Sequence, residues 1–204
     1  MGMARSANQA DTGGVRIRTA RADELLALQD IERAAGRCFR DIGMAEIADD
    51  EPPTLTELAY AQRNGEAWVA VGPFGRLMAY LITDVVDGNT HIEQVSVHPD
   101  FARRGIGKAL LDHTADQSAR CGIEALTLTT FAAVPWNAPY YLRCGFRELG
   151  LAELSPGLLA ILEAERANGL GKWPRVCMRR DLLPAMVPAG PVPHATPGTW
   201  PPAR

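Results

Sequence analysis

The 204-residue chain lacks several features that mark specialised protein classes. It has only four cysteines and no CxxC pair, so neither a disulfide framework nor a thiolate zinc site is expected. No run of about 18 apolar residues occurs, which argues against a transmembrane helix. The formal net charge of −3 gives no overall attraction to nucleic acid or to an anionic membrane. We therefore expect a cytoplasmic protein without nucleic-acid, membrane or metal partners.

What the chain does have is a long patterned region between two segments of different composition. Residues 1–14 are polar and contain no apolar core of signal-peptide length, and we expect them to be disordered. Of the 21 residues beyond Leu183, seven are proline, so residues 184–204 should form an extended, poorly ordered tail. Residues 15–183 remain, and they are numerous enough for one domain with a sizeable core.

Hydrophobic periodicity predicts strands and helices along this domain. Predicted strands cover residues 15–19, 66–71, 75–86, 91–97, 125–130 and 175–180. Predicted helices begin near Asp23, Thr54, Gly105, Asn137 and Ser155. Thr54 and Glu57 form a capping-box pattern, and Asn137 is expected to cap the short helix that follows it. Turns at 72–75 and 87–89 should join three consecutive strands into an antiparallel meander.

The last strand of the meander runs into a glycine-rich basic turn. The turn contains two glycines and three cations: Arg103, Arg104, Gly105, Gly107 and Lys108. A helix N-terminus offers unpaired N–H groups and the positive end of a dipole, and glycine lets phosphate oxygens approach the main chain. The same pattern is also typical of a solvated helix start, so by itself it leaves both interpretations open. A P-loop and a dinucleotide fingerprint both fail, because Lys108 is followed by alanine and position 110 is leucine.

The order of these elements and two motifs resemble the GNAT superfamily of N-acetyltransferases. The motifs are "VSVHPDFARRGIGKALL" (95–111) and "NAPYYLRCGF" (137–146), and the resemblance is strong over about residues 75–148. It departs from the family at Ala102, where glutamine or arginine is usual. The resemblance implies an α+β (mixed α/β) fold. Its central, mostly antiparallel sheet of six to seven strands would be flanked by helices and splayed between the fourth and fifth strands.

The resemblance also implies acetyl-CoA as co-substrate, and no metal. Main-chain N–H groups from Arg103 to Lys108 would hold its pyrophosphate, and the strand before the turn would receive the pantetheine arm as an added strand. The implied cofactor-binding residues are Val95, Ser96, Val97, Arg103, Arg104, Gly105, Ile106, Gly107, Lys108, Asn137 and Tyr141.

Acetyl transfer to an amine requires a base, because an alkyl amine with a pKa of about 10.4 is protonated near neutrality. Alternation along the strand predicts that His91 and Glu93 share a face with Val95 and Val97. The family places its general base at one of the first two positions. We predict Glu93 as the base, with His91 as its neighbour or substitute.

Two further roles rest on the resemblance. Tyr141 matches the family tyrosine that donates a proton to the departing CoA thiolate, whereas the adjacent Tyr140 is expected to pack. The N–H group of Val95 would stabilise the oxyanion.

These residues predict an enzyme that acetylates a primary amine by direct attack in a ternary complex. The alternative is a non-catalytic acyl-CoA-binding regulatory module. The acceptor stays open between a small molecule and an amine of a peptide or protein. Phe131, Val134 and Trp136 either line an apolar acceptor pocket or simply pack, and the acidic residues within 46–51 either attract a cationic amine or form a solvated loop. Many relatives pair, so a homodimer is a possible assembly.

Overall fold

The computed structural model describes residues 14–182, so the predicted disordered segments 1–14 and 184–204 lie outside it apart from Gly14. The described strands are β1 Arg16–Thr19, β2 Ala67–Val71, β3 Leu77–Val86, β4 Asn89–Val97, β5 Ala125–Phe131, β6 Arg147–Glu148 and β7 Arg175–Asp181. The described α-helices are α1 Leu25–Gly36, α2 Ala45–Ala48, α3 Leu55–Asn64, α4 Ile106–Arg120, α5 Ala138–Arg143 and α6 Pro156–Ala167. Within residues 14–182, no helix is long and apolar enough to cross a membrane.

The strands form one sheet in the order β1-β2-β3-β4-β5-β7-β6. Neighbouring strands are antiparallel except for β4 and β5, which are parallel and joined through α4. The β4–β5 pairing is short, matching residues 90–92 with 126–128, and both strands continue beyond it. The mixed, mostly antiparallel fold with a splay between the fourth and fifth strands is therefore confirmed.

The sheet separates two hydrophobic clusters. On one face, Leu110 and Leu111 of α4 are fully buried in a cluster with Leu126 of β5. On the other face, Leu28 of α1 and Leu58 of α3 are fully buried. Burying one such side chain contributes about 1.5 to 3 kcal/mol relative to leaving it exposed. The α4 cluster thus fixes the helix against the sheet and holds its N-terminus beside the end of β4.

The first predicted helix differs most from the structure. A 3₁₀ turn precedes α1, which ends at Gly36 and is followed by the 3₁₀ helix Arg37–Ile42. That helix ends at Gly43, whose φ of 76° is left-handed. Phe39 of this 3₁₀ helix packs in a third cluster with Met44 and Phe131. The short elements α2 and β6 were not predicted.

Candidate functional site

The turn between β4 and α4 presents a run of unpaired main-chain N–H groups. Among the described residues, the N–H groups of residues 103–108 donate to no backbone carbonyl, and the first that does is Ala109, to Gly105 at 2.9 Å. Arg103 and Gly105 have positive φ angles of 61° and 77°. Such left-handed residues direct successive N–H groups toward a common side. The turn therefore has the geometry of an anion-binding concavity at a helix N-terminus.

The three cations of the turn have different partners. Lys108 binds Asp112 at 2.6 Å, and Asp112 also accepts from Arg180 at 2.8 Å. Arg104 lies over the ring of Phe101, 5.6 Å from its centre. Within the described part of the chain, Arg103 and Arg104 form no ion pair with a carboxylate. Of the three cations predicted for the turn, these two arginines could therefore pair with an anionic ligand.

The second half of β4 faces the gap left by the splay. Its pairing with β5 ends at Ile92, so within residues 14–182 no strand pairs with Val95, Ser96 or Val97 on that side. The edge of β4 there is open to an extended ligand, next to the turn of N–H groups.

A β-bulge interrupts β4 at Glu93. Ile82 pairs with Gln94 and Thr83 pairs with Ile92, so Glu93 has no residue opposite it on β3. A bulge inserts an extra residue and breaks the strict alternation of side chains.

The bulge overturns one prediction from the sequence. Val95 and Val97 pack on the α4 cluster, whereas His91 bonds Thr127 of β5 on the opposite face of the sheet. His91 therefore does not share a face with the two valines, and Glu93 lies in the bulge itself. Residue counting failed because it assumed an uninterrupted strand.

The two candidate bases lie in different environments. His91 is 1% exposed, its Nδ1 lies 2.9 Å from Thr127 Oγ1, and burial lowers its pKa to about 4. Glu93 is reached by solvent, but the protein around it partly desolvates the carboxyl. This desolvation, with the negative charges of Asp84 and Glu165, raises the pKa of Glu93. At neutral pH, His91 is an uncharged buried side chain and Glu93 is an accessible carboxyl of increased basicity.

The two adjacent tyrosines of α5 both pack, but to different extents. Tyr141 is 9% exposed and contacts Phe146 edge-on, with ring centres 5.7 Å apart. Burial raises its pKa above the ordinary value, so the phenol stays protonated. Tyr140 is half-buried, and its hydroxyl lies 2.9 Å from the position that a Cβ on Gly107 would occupy. Tyr141 is thus the more deeply packed of the pair.

Asn137 occupies the position before α5 but does not cap it with its side chain. Its Nδ2 donates instead to Thr130 Oγ1 of β5 at 2.7 Å. Its Oδ1 is buried and has no partner among the described residues. The predicted side-chain cap is therefore wrong, and the amide instead ties the start of α5 to β5.

A partly buried ion pair near the site was not predicted. Glu165 of α6 accepts from Thr129 of β5 at 2.5 Å and from Arg175 Nε of β7 at 2.9 Å. The side chains of Glu165 and Arg175 are 16% and 14% exposed. No local pattern marks this pair, since its members come from different elements. Within residues 14–182 there is no group of three side chains suited to hold a metal ion.

The splayed sheet and the turn of free N–H groups define an α/β protein with an anion-binding turn between a parallel strand pair. Residues 27–146 match the family model described as the acetyltransferase (GNAT) family. The chain therefore belongs to the GNAT acetyltransferase family.

Relatives agree with this assignment. The chain is similar to the ribosomal protein bS18-alanine N-acetyltransferase of Escherichia coli K12, with 30% identity over 95 residues. The match covers 46% of this chain and 64% of that enzyme. A structure of the Escherichia coli ribosomal-protein-S18-alanine N-acetyltransferase has a TM-score of 0.56 at 21% identity, covering 87% of this chain and 97% of that one.

A second solved structure shares the fold. It is the N-acetylglutamate synthase of Neisseria gonorrhoeae complexed with coenzyme A and N-acetyl-glutamate. Its TM-score is 0.63 at 19% identity, covering 87% of this chain and 36% of that one.

Proposed function

We propose that this protein is an N-acetyltransferase that moves an acetyl group from acetyl-CoA to a primary amine by direct attack in a ternary complex. The observation that carries the proposal is the run of unpaired N–H groups at residues 103–108, placed where β4 loses its strand neighbour. Such a site fits a ligand with a diphosphate at one end and an extended, amide-containing arm at the other.

The cofactor would be bound mainly by main-chain groups. The N–H groups of 103–108 would hold the pyrophosphate, with charge from Arg103 and Arg104, and residues 95–97 would pair with the pantetheine arm. Because the donors are main-chain atoms, alanine at position 102 weakens the family match without removing this mechanism. The free amide oxygen of Asn137 is a suitable acceptor for a pantetheine N–H group.

Glu93 is the proposed general base. The amine must lose a proton before it attacks the thioester carbonyl, and a carboxyl with a raised pKa accepts that proton more readily. His91 is the weaker candidate, because it is buried and bonded to Thr127. We propose that His91 helps to position β4 through its bond to Thr127 of β5.

Tyr141 is the proposed general acid. When the tetrahedral intermediate collapses, the C–S bond breaks and the thiolate takes a proton. A phenol whose pKa is raised by burial is fully protonated at neutral pH and available for that transfer. The N–H group of Val95 remains our proposal for the oxyanion donor.

The acceptor is proposed to be a primary amine of a small molecule or of a peptide. The related Escherichia coli enzyme is named for acetylating an alanine of a ribosomal protein, which supports a peptide amine. The carboxylates of Glu93 and Asp84 on the same side of the site would attract the ammonium form of either acceptor.

Thiol release from acetyl-CoA over a panel of amines tests the proposal. We expect Glu93→Gln and Tyr141→Phe each to lower kcat by about 100-fold or more, in the range of general acid–base catalysis. Glu93→Gln should also remove the acidic limb of the pH–rate profile. Exposed residues supply matched controls, Glu148→Gln and Tyr60→Phe, and these should keep full activity.

Three other results would change the assignment. A large loss in Tyr140→Phe but not in Tyr141→Phe would move the acid to the neighbouring tyrosine. CoA binding without transfer to any amine would favour the regulatory module. Failure to bind CoA would reject both functions.

A further inference from the structure

An apolar cavity lies at the end of β5, apart from the turn and the edge of β4. Its volume is about 250 Å³, and all of its lining residues are apolar. Its walls come from separate segments of the chain: the loop at 42–44, Phe131, the β5–α5 loop at 133–135 and residues 173–174. Ala133 and Pro135 at its rim are exposed, so solvent and ligands reach it.

Aromatic side chains pack against one another around this cavity. Phe131 contacts Trp173 and Phe39 edge-on, with ring centres 6.0 and 5.7 Å apart, and Phe39 contacts Trp136 at 5.5 Å. The whole chain has four Trp, four Tyr and five Phe, so four aromatic residues in one cluster are a marked concentration. Of the three residues predicted to line an acceptor pocket or to pack, Phe131 and Val134 line the cavity. Trp136 does not line it but contacts Phe39, which packs against Phe131.

Side-chain contacts lead from the cavity toward the proposed catalytic site. Phe131 ends β5, three residues beyond Leu128, the last residue of that strand that pairs with β4. The guanidinium of Arg175 lies 4.5 Å from the centre of the Phe131 ring and is paired with Glu165. The charge of Glu165 in turn acts on Glu93. The cavity therefore lies at the end of the strand that borders the gap, on the side of Phe131 and Arg175.

We propose that this cavity binds an apolar group of the acceptor, which would be a primary amine carrying an aromatic or branched aliphatic group. The inference rests on the proposed acetyltransferase function. Pockets for drug-sized ligands have volumes of about 300 to 1,000 Å³, so about 250 Å³ suits one side-chain-sized group rather than a whole metabolite. The ammonium would then lie toward Glu93 and Asp84. A free arylalkylamine and the first residue of a peptide share this chemistry.

Paired acceptors that differ in the apolar group test the inference on the full chain. We compare kcat/KM for 2-phenylethylamine with that for ethylamine, and for Phe-Gly-Gly amide with that for Gly-Gly-Gly amide. We expect a ratio of about tenfold or more in at least one pair, as a filled apolar pocket gives. The pair with the larger ratio identifies the free amine or the peptide as the source.

A variant that fills the cavity supplies the structural control. Ala133→Leu should reduce the ratio several-fold, whereas Ala164→Leu on the exposed surface of α6 should leave it unchanged. Acetyl transfer with ratios near one, or ratios that Ala133→Leu does not alter, would overturn the inference and leave the proposed function intact.

If no amine is acetylated, a direct binding measurement shows whether the cavity inference has failed or only the proposed acetyltransferase function. Saturable quenching of tryptophan fluorescence by 2-phenylethylamine is expected, and it should be lost in Ala133→Leu and in Trp173→Phe. Such binding would support the cavity although the proposed function had failed. No binding and no transfer would reject both.

Discussion

Gly107, the second residue of α4, lies where the first turn of the helix meets α5. A Cβ at this position would lie 2.9 Å from Tyr140 Oη and 3.5 Å from Val97 Cγ2. Only the first of these contacts is too short, and it involves a single hydroxyl group. The need for glycine here thus depends on one atom of another residue, not on a left-handed backbone.

We predict that the effect of Gly107→Ala on stability depends on whether the Tyr140 hydroxyl is present, and a double-mutant cycle tests this. We expect Gly107→Ala to destabilise the protein by about 1 kcal/mol, because overpacking outweighs the better helix propensity of alanine. In a Tyr140→Phe background the close atom is absent, so the same substitution should be neutral or stabilising. Urea unfolding of the four proteins measures both effects. An equal effect of Gly107→Ala in both backgrounds would show that the hydroxyl is not the cause.

At the scale of elements, α1 places a half-buried carboxyl against the sheet. Glu32 of α1 is hydrogen-bonded to Tyr80 of β3, and burial together with the charge of Asp50 raises its pKa to about 7. The folded state therefore binds this proton more tightly than the unfolded state, whose carboxyl titrates near 4.5. The stability due to the raised pKa is present below 4.5 and is lost as pH rises through 7.

Replacing this carboxyl by a neutral amide should remove that pH dependence. We expect Glu32→Gln to match the wild type at pH 5 and to exceed its unfolding free energy by about 2 kcal/mol at pH 8. The variant must be compared with the wild type at each pH, because another group also changes stability with pH. The lowered pKa of His91 makes the unfolding free energy of both proteins rise between pH 4 and 6.5. Urea unfolding at both pH values measures the effect, with exposed Glu51→Gln as control. A difference independent of pH would contradict it.

Elements governed by local interactions were predictable from the sequence, and those governed by distant contacts were not. The Thr54–Glu57 capping box is formed as expected, because both of its hydrogen bonds lie within four consecutive residues. The side chain of Asn137 instead bonds Thr130, which only the folded sheet brings near. The bulge at Glu93 likewise depends on the register with β3. The turn at 103–108 was predictable because its glycines act locally.

At the scale of the whole molecule, the site is assembled from segments that no short motif connects. The cavity at Phe131 draws its walls from the α1–α2 region, the β5–α5 loop and the residues before β7. The sequence indicated Phe131 and Val134 as candidates but left their role open, because their partners are distant in the chain. Arg175 of β7, which lies over the Phe131 ring, pairs with Glu165 of α6, so this wall of the cavity also depends on a contact between distant segments.

The overall charge of the molecule also affects how it would attract the proposed co-substrate. A chain of net charge −3 gives no general attraction for the polyanionic CoA, so any electrostatic gain must come from Arg103 and Arg104 beside the turn. Exposed charges are screened by salt, whereas hydrogen bonds from the main-chain N–H groups of 103–108 are much less affected.

We expect CoA affinity of the wild type to fall about tenfold between 50 and 500 mM NaCl, and that of Arg103→Ala/Arg104→Ala to fall about threefold or less. The variant should bind more weakly at low salt and approach the wild type at high salt, while Arg103→Lys/Arg104→Lys should keep the wild-type slope. Calorimetric titration with CoA at several salt concentrations measures these slopes. Parallel slopes for all three proteins would mean that the arginines do not act on the bound phosphates, and that the N–H groups alone account for binding.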